Sequence, residues 1–189
     1  NIKSARSVAF SIDDELPFAN TSIEEDCVCI VHTETSNATY VSEDVLKSVR
    51  SSLRDEQILA VDCTSSIGGM KLSWKEADVW FASVQKCLGL PAGLGLMILS
   101  PKAVERSREV GETGRYNSLQ FILKNEASNQ THYTPNVLNI YLLNRTQNYS
   151  KGIEKIQNKI FNRYDYWTSI FSEMKGLSFL VKNESVRAK

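Results

Sequence analysis

The sequence has no excess of either charge. Its 22 Lys and Arg balance 22 Asp and Glu, so the formal net charge is zero. A neutral chain gives no electrostatic reason to bind nucleic acid or an anionic membrane surface. No apolar run is long enough to cross a bilayer. The basic residues of 1–10 are not followed by the apolar stretch of a signal peptide, so a cytoplasmic protein is expected. Without a secretion signal, Asn-x-Ser/Thr triplets such as Asn37-Ala38-Thr39 read as chance matches. Cysteine and histidine are scarce, with four and two residues. Cys27 and Cys29 stand two apart, which puts both on one face of a strand. The plain reading of all four cysteines is small apolar residues in a reducing compartment, and no metal site is expected. Internal repeats and low-complexity segments are also lacking.

What is present is ordinary for a globular domain. Apolar residues make up 42% and charged residues 23% of 189 positions. That is enough for one domain with a core, or for part of a larger one. Neither end reads as a natural domain boundary, and a piece of a longer protein is expected.

Glu25 to His32 is rich in Val, Ile and Cys and reads as a buried strand. Ser42 to Leu53 has a helix signature. Ser42 is the N-cap, Glu43 and Asp44 lie in the first turn, and Val45, Leu46, Val49 and Leu53 form an apolar stripe. Ile58–Val61, Ala77–Ala82 and Leu94–Leu99 read as further strands, and Pro101 opens a helix to Val110. This order predicts an α/β fold with a mainly parallel central sheet flanked by helices. Val137–Leu143 is apolar all round and is expected to be a buried helix. Ser150–Met174 is amphipathic, and Leu177–Val181 reads as a last strand. Residues 1–150 are expected to form a large domain, and residues 151–189 a connecting helix and the start of a small C-terminal domain.

Three strand ends carry reactive polar residues: His32–Asn37, Asp62–Gly69 and Ser83–Lys86. In an open α/β sheet, ligands sit beyond the carboxyl ends of the strands, so these ends can meet in one crevice. Lys86 lies between an apolar strand and a loop with three glycines, 87–95. A desolvated lysine there would be an amine nucleophile towards carbonyls; an ordinary solvated loop lysine is the simpler reading of position alone. The loop has neither the phosphate-binding P-loop order nor a dinucleotide fingerprint. Asp62, at the end of a buried strand, needs a partner: either the loop that follows or a protonated ligand nitrogen. His32 ends an apolar strand and reads as a core residue rather than a base. Trp74, Trp80 and Trp167 read as packing residues.

Taken together, these segments resemble the class V aminotransferases, a branch of the fold-type I pyridoxal-phosphate (PLP) enzymes. His32-Thr33-Glu34-Thr35-Ser36 is similar to the family's His-x-Glu-Thr/Ser-Ser. Asp62-Cys63-Thr64-Ser65-Ser66-Ile67-Gly68-Gly69 is similar to its Asp-x-x-Ser-Ser-x-Gly-Gly. Ser83-Val84-Gln85-Lys86 matches Ser/Ala-x-Gln-Lys, and Thr134-Pro135-Asn136 resembles its Thr-Pro element. The order and spacing of these motifs, over Cys27 to Tyr141, make the combination specific.

The resemblance implies roles. Lys86 would form the Schiff base with PLP and then move the proton. Asp62 would keep the pyridine nitrogen protonated. Thr35 would bond the phenolic oxygen. Gln85 and Ser65 would hold the phosphate, with Thr64 and Ser66 as rivals of Ser65. Thr134, with Tyr133 and His132 beside it, would reach the cofactor of the neighbouring subunit in a homodimer. Gln85 before Lys86, the 87–95 loop and Thr134 to Tyr141 resemble the phosphoserine aminotransferase branch most. That branch implies transfer from O-phospho-L-serine to 2-oxoglutarate in serine biosynthesis. The alanine/serine–glyoxylate branch is the alternative; a cysteine desulfurase-like lyase and a non-catalytic homologue lie further off. The family's ring-stacking residue is expected upstream of Asn1, and its substrate-holding arginine in the C-terminal domain.

Overall fold

The computed structural model describes residues 5–17, 22–149 and 152–189, without the side chains of 147–149. Strands β1 (Cys27–Val31), β4 (Ile58–Asp62), β5 (Val79–Ser83) and β6 (Gly95–Leu99) form a four-stranded sheet in the order β1-β4-β5-β6. β1, β4 and β5 run parallel, and β6 is antiparallel to β5. The mainly parallel α/β reading therefore holds. β4 is central and accordingly almost wholly apolar, Ile-Leu-Ala-Val before Asp62. β1 is an edge strand and alternates: Val28 and Ile30 point into the core while Cys27, Cys29 and Val31 face outward. The two cysteines do share a face.

A short ribbon, β2 (Thr33–Glu34) paired with β3 (Thr39–Tyr40), follows β1 and has no signal in the sequence. Helix α1 (Glu43–Ser52) starts where expected, with the Ser42 hydroxyl accepting from Val45 N at 3.3 Å. Its Leu46 and Val49 are 1% exposed. They pack with Leu53, Leu59, Val61, Cys63, Trp80 and Ala82 into the core on one face of the sheet. Burial of each such aliphatic side chain contributes about 1.5–3 kcal/mol. Trp80 is buried, and its indole N–H donates to Trp74 O at 3.1 Å. Trp74 meets it edge-on but stays partly open to solvent, and Trp167 is also exposed, so only Trp80 is a core tryptophan.

The end of the sheet remote from the site is held by charge. Asp78, just before β5, is buried and accepts from Arg50 Nη1, Lys102 Nζ and Leu59 N, each at 3.0 Å. Ser100 Oγ donates to it at 3.2 Å and caps α2 (Pro101–Val110). Helix α3 (Leu119–Glu126) is an addition to the expected elements, because its eight residues carry a weak pattern. Helices α4 (Val137–Tyr149) and α5 (Ile153–Glu173) follow. The expected start of α5 at Ser150 lies outside the described residues.

Two expectations fail. The Val137–Leu143 helix forms but is not buried: Val137, Leu138, Ile140 and Tyr141 are all exposed. An apolar circumference marks a surface to be covered, and nothing among the described residues of this chain covers it. Leu177–Val181 is not a strand: Leu177 and Leu180 are exposed while Val181 is buried. The segment is apolar but pairs with no strand among the described residues. The chain end instead docks on the β2–β3 ribbon, where Tyr40 N donates to Val186 O and Ala188 N to Ala38 O, both at 2.8 Å. Arg187 is buried there and donates through Nε to Val181 O at 2.8 Å.

Candidate active site

The three polar strand ends meet. His32 N donates to Asp62 O at 2.8 Å, which joins the ends of β1 and β4. Ser83 N donates to Thr64 Oγ1 at 3.1 Å, which joins the loop after β4 to the end of β5. Lys86 Nζ donates to Thr35 Oγ1 at 2.5 Å, which closes the ring between β5 and the turn after β1. Thr35 sits in the turn of the ribbon that the chain end braces, so its position rests on two independent anchors.

Lys86 is exposed and forms no ion pair with a described residue. Glu34 lies close by. Its carboxyl is held below the ordinary range, first by the N–H of Ser36 at 2.8 Å, then by the Ser36 side chain and the charge of Lys86. Asp62 ends β4 half-buried. Its Oδ1 accepts from Thr64 N at 2.8 Å, and among the described residues it has no cation partner. A carboxylate with one oxygen engaged and its charge unmatched fits a protonated ligand nitrogen. Its field also helps push the buried Cys63 thiol up to about 11, after burial itself.

Of the three hydroxyls considered for the phosphate, one spends its proton internally and one only accepts, which leaves its own proton available. Thr64 accepts from Ser83 N, and the buried Ser66 donates to Cys63 O at 3.3 Å. Ser65 is left without a hydrogen bond among the described residues, as is the exposed Gln85. Both are free to donate to an anion. Thr134 is exposed and makes no hydrogen bond to the other candidates among the described residues. His32 is 6% exposed, against Trp80, with Nδ1 3.1 Å from Thr33 Oγ1. Burial lowers its pKa from 6.5 to about 4, so it is a neutral core residue, as expected.

Two further contributions come from the structure. Gly68 is favoured by conformation and Gly69 by contact. Gly68 has φ +84°, and a Cβ there would stand 2.7 Å from Leu88 Cδ2. A Cβ on Gly69 would overlap Cys87 Sγ. The loop after Asp62 is thus pressed against the residues beside Lys86. The second is Asn139, 1% exposed, whose amide donates to Pro91 O at 3.0 Å and Ala92 O at 3.2 Å. It ties the start of α4 to the loop after Lys86, and a lone Asn in an apolar helix turn is its signal in the sequence. A cavity of about 550 Å³ lies elsewhere, lined by residues 6–16 and β1. It reaches Glu34 but neither Lys86 nor Asp62, and the chemistry of the donors outweighs its size.

The chain matches known proteins over most of its length. It is 34% identical over 131 residues to a phosphoserine aminotransferase of Rhodococcus opacus (strain B4), covering 67% of this chain and 33% of that protein. A phosphoserine aminotransferase of Corynebacterium glutamicum (strain R) is 34% identical over 122 residues, 62% of this chain and 31% of the relative. Among solved structures, the Cytophaga hutchinsonii phosphoserine aminotransferase superposes with a TM-score of 0.86 at 27% identity, over 94% of this chain and 51% of that one. The alanine–glyoxylate aminotransferase of Nostoc sp. gives 0.71 at 22%, over 86% and 44%. The chain therefore spans about a third of the curated relatives and half of the Cytophaga chain. The aminotransferase class-V family model matches residues 12–189, and with the fold of PLP-dependent aminotransferases of type I, the chain belongs to the class V aminotransferase family.

Proposed function

We propose that this chain is the cofactor-holding part of a PLP-dependent aminotransferase. The observation that carries the reading is the Lys86 amine, held at 2.5 Å by Thr35 Oγ1, at the same sheet end as the unpaired carboxylate of Asp62. When bound, PLP supplies an electron-withdrawing ring that stabilises negative charge on the substrate carbon.

The residues of the chain do the rest. Lys86 is the covalent anchor of the cofactor and, once released, the base that carries a proton from one carbon to the other. Thr35 orients the amine and can donate its own hydroxyl proton to the cofactor's phenolic oxygen. Asp62, braced by Thr64 N, holds a proton on the ring nitrogen and so keeps the ring cationic. Ser65 and Gln85, with no hydrogen-bond partner among the described residues, are the phosphate donors. Thr134, exposed and outside the hydrogen bonds that join the other candidates, serves the neighbouring subunit's cofactor in a homodimer. The exposed apolar side of α4, which follows Thr134, supports that arrangement.

For the substrate pair we propose O-phospho-L-serine and 2-oxoglutarate, in serine biosynthesis in the cytoplasm. The support is the phosphoserine aminotransferases among the curated relatives and the Cytophaga structure, which superposes better than the alanine–glyoxylate enzyme. The four cysteines, all unpaired, agree with a reducing compartment. The test is borohydride reduction of the protein with PLP followed by peptide mapping. A pyridoxyl adduct on Lys86 is expected, and an adduct confined to other lysines refutes the assignment. A donor panel of phosphoserine, alanine and serine then decides the substrate, with phosphoserine expected to be fastest.

A further inference from the structure

The segment 131–135, which carries Thr134, is held in an unusual way. None of its residues makes a hydrogen bond among the described residues. Its flanks are fixed: Gln130 N donates to Asn125 O at 3.0 Å, and Asn136 Oδ1 accepts from Asn139 N at 3.1 Å. Between these points, rings do the holding. Tyr133 stacks face to face on Tyr116, with centroids 4.3 Å apart and planes at 9°. Phe121 meets His132 at 6.1 Å and 88°, and Tyr133 at 6.1 Å and 63°.

The base under these rings is tied by hydrogen bonds. Ser118 is buried, donates to Glu112 O at 2.5 Å and accepts from Phe121 N at 3.4 Å, which closes the loop bearing Tyr116. Gln120 Nε2 donates to Ser107 Oγ at 2.8 Å and ties α3 to α2. A stacked pair restricts both separation and tilt. Both tyrosines are exposed, and the stack biases the ring of Tyr133, and the backbone entering Thr134, towards one arrangement. The unbonded N–H and hydroxyl of Thr134 stay free to donate.

We propose that Tyr116 is a positioning residue: its stack on Tyr133 holds Thr134 in the conformation that donates to the phosphate of a bound pyridoxal cofactor. The inference rests on the phosphate role proposed for Thr134 and assigns the device that fixes it. Tyr116 touches neither cofactor nor substrate; it acts through Tyr133.

The experiment compares equilibrium binding of pyridoxal phosphate and of pyridoxal, which lacks the phosphate, by absorbance titration of the cofactor-free protein. The variants are Tyr116→Phe, Tyr116→Leu, Tyr116→Ala and Thr134→Ala. Tyr116→Ala is expected to weaken pyridoxal phosphate binding roughly two- to tenfold, the range into which the geometric attraction of an aromatic pair converts. Pyridoxal binding should be unchanged. Tyr116→Phe keeps the stack and should match the parent. Tyr116→Leu keeps apolar bulk without a ring face, so it reads the effect if the alanine variant fails to fold. Equal losses for both ligands, or none for either, overturn the proposal while Thr134→Ala still weakens phosphate-dependent binding. If Thr134→Ala has no effect, the phosphate role of Thr134 fails first and the proposal falls with it.

Discussion

Acidification should destabilise this protein through a single buried imidazole before its carboxylates contribute. His32 is 6% exposed, and burial lowers its pKa from 6.5 to about 4. Between those values the unfolded chain binds a proton that the folded chain refuses, so stability rises with pH across the window. The contribution is intact above pH 6.5 and is lost progressively as pH falls towards 4. Each pH unit over which only the unfolded chain holds that proton is worth about 1.36 kcal/mol. Taking the protein from pH 7.5 to 4.5 should therefore remove about 2.5 kcal/mol, the approach to each pKa being gradual. The carboxyls with displaced pKa values, Asp13, Glu25, Glu34, Glu43 and Glu56, are all shifted downward from ordinary values at or below 4.5. Their effects begin at the acid edge of the window. The assay is urea unfolding of the cofactor-free protein at half-unit pH steps, for the parent and for His32→Gln. The variant is expected to be less stable at pH 7.5 but flatter between pH 7 and 4.5. Equal slopes for the two proteins would show that the imidazole is solvated or paired, and the reasoning would be refuted.

Two further perturbations follow from the packing. Gly69→Ala should gain about 0.4–1 kcal/mol from the unfolded chain, because its backbone is not left-handed, yet lose about 1–3 kcal/mol to overlap with Cys87 Sγ. Net destabilisation in urea unfolding, relieved by adding Cys87→Ala, is the expected result; no relief would place the strain elsewhere. Asp78→Ala strips the partner from Arg50 and Lys102 and should cost about 2–4 kcal/mol, with Asp78→Asn costing less because it can still accept from Leu59 N. Comparable midpoints for Asp78→Ala and the parent would show that solvent already screens the network.

The fold is legible in the sequence where local signals agree with burial. Ser42 as a cap, Pro101 at the start of α2, the Leu46–Val49 stripe and the apolar β4 all follow from residue pattern. So does the meeting of the three strand ends, because a parallel sheet sends its carboxyl ends to one side. The β2–β3 ribbon is not legible, since strands of two residues carry no period. The exposure of α4 escapes the sequence for a different reason. Residue pattern reports that a surface is apolar, not which chain covers it. Within the site, only the structure shows that the loop consumes the hydroxyl proton of Ser66, while Ser65 makes no hydrogen bond among the described residues.

Among the described residues, the sheet is bounded by two strands, β1 and β6, each bonded on one side only. β6 shows Met97 and Ile98 to solvent, and β1 shows Val31. Such margins are templates for a further strand, whatever its origin. The 189 residues by themselves should consequently be prone to self-association through ribbon-to-ribbon pairing, and a charged side chain at Ile98 would be the simplest way to make that margin inhospitable.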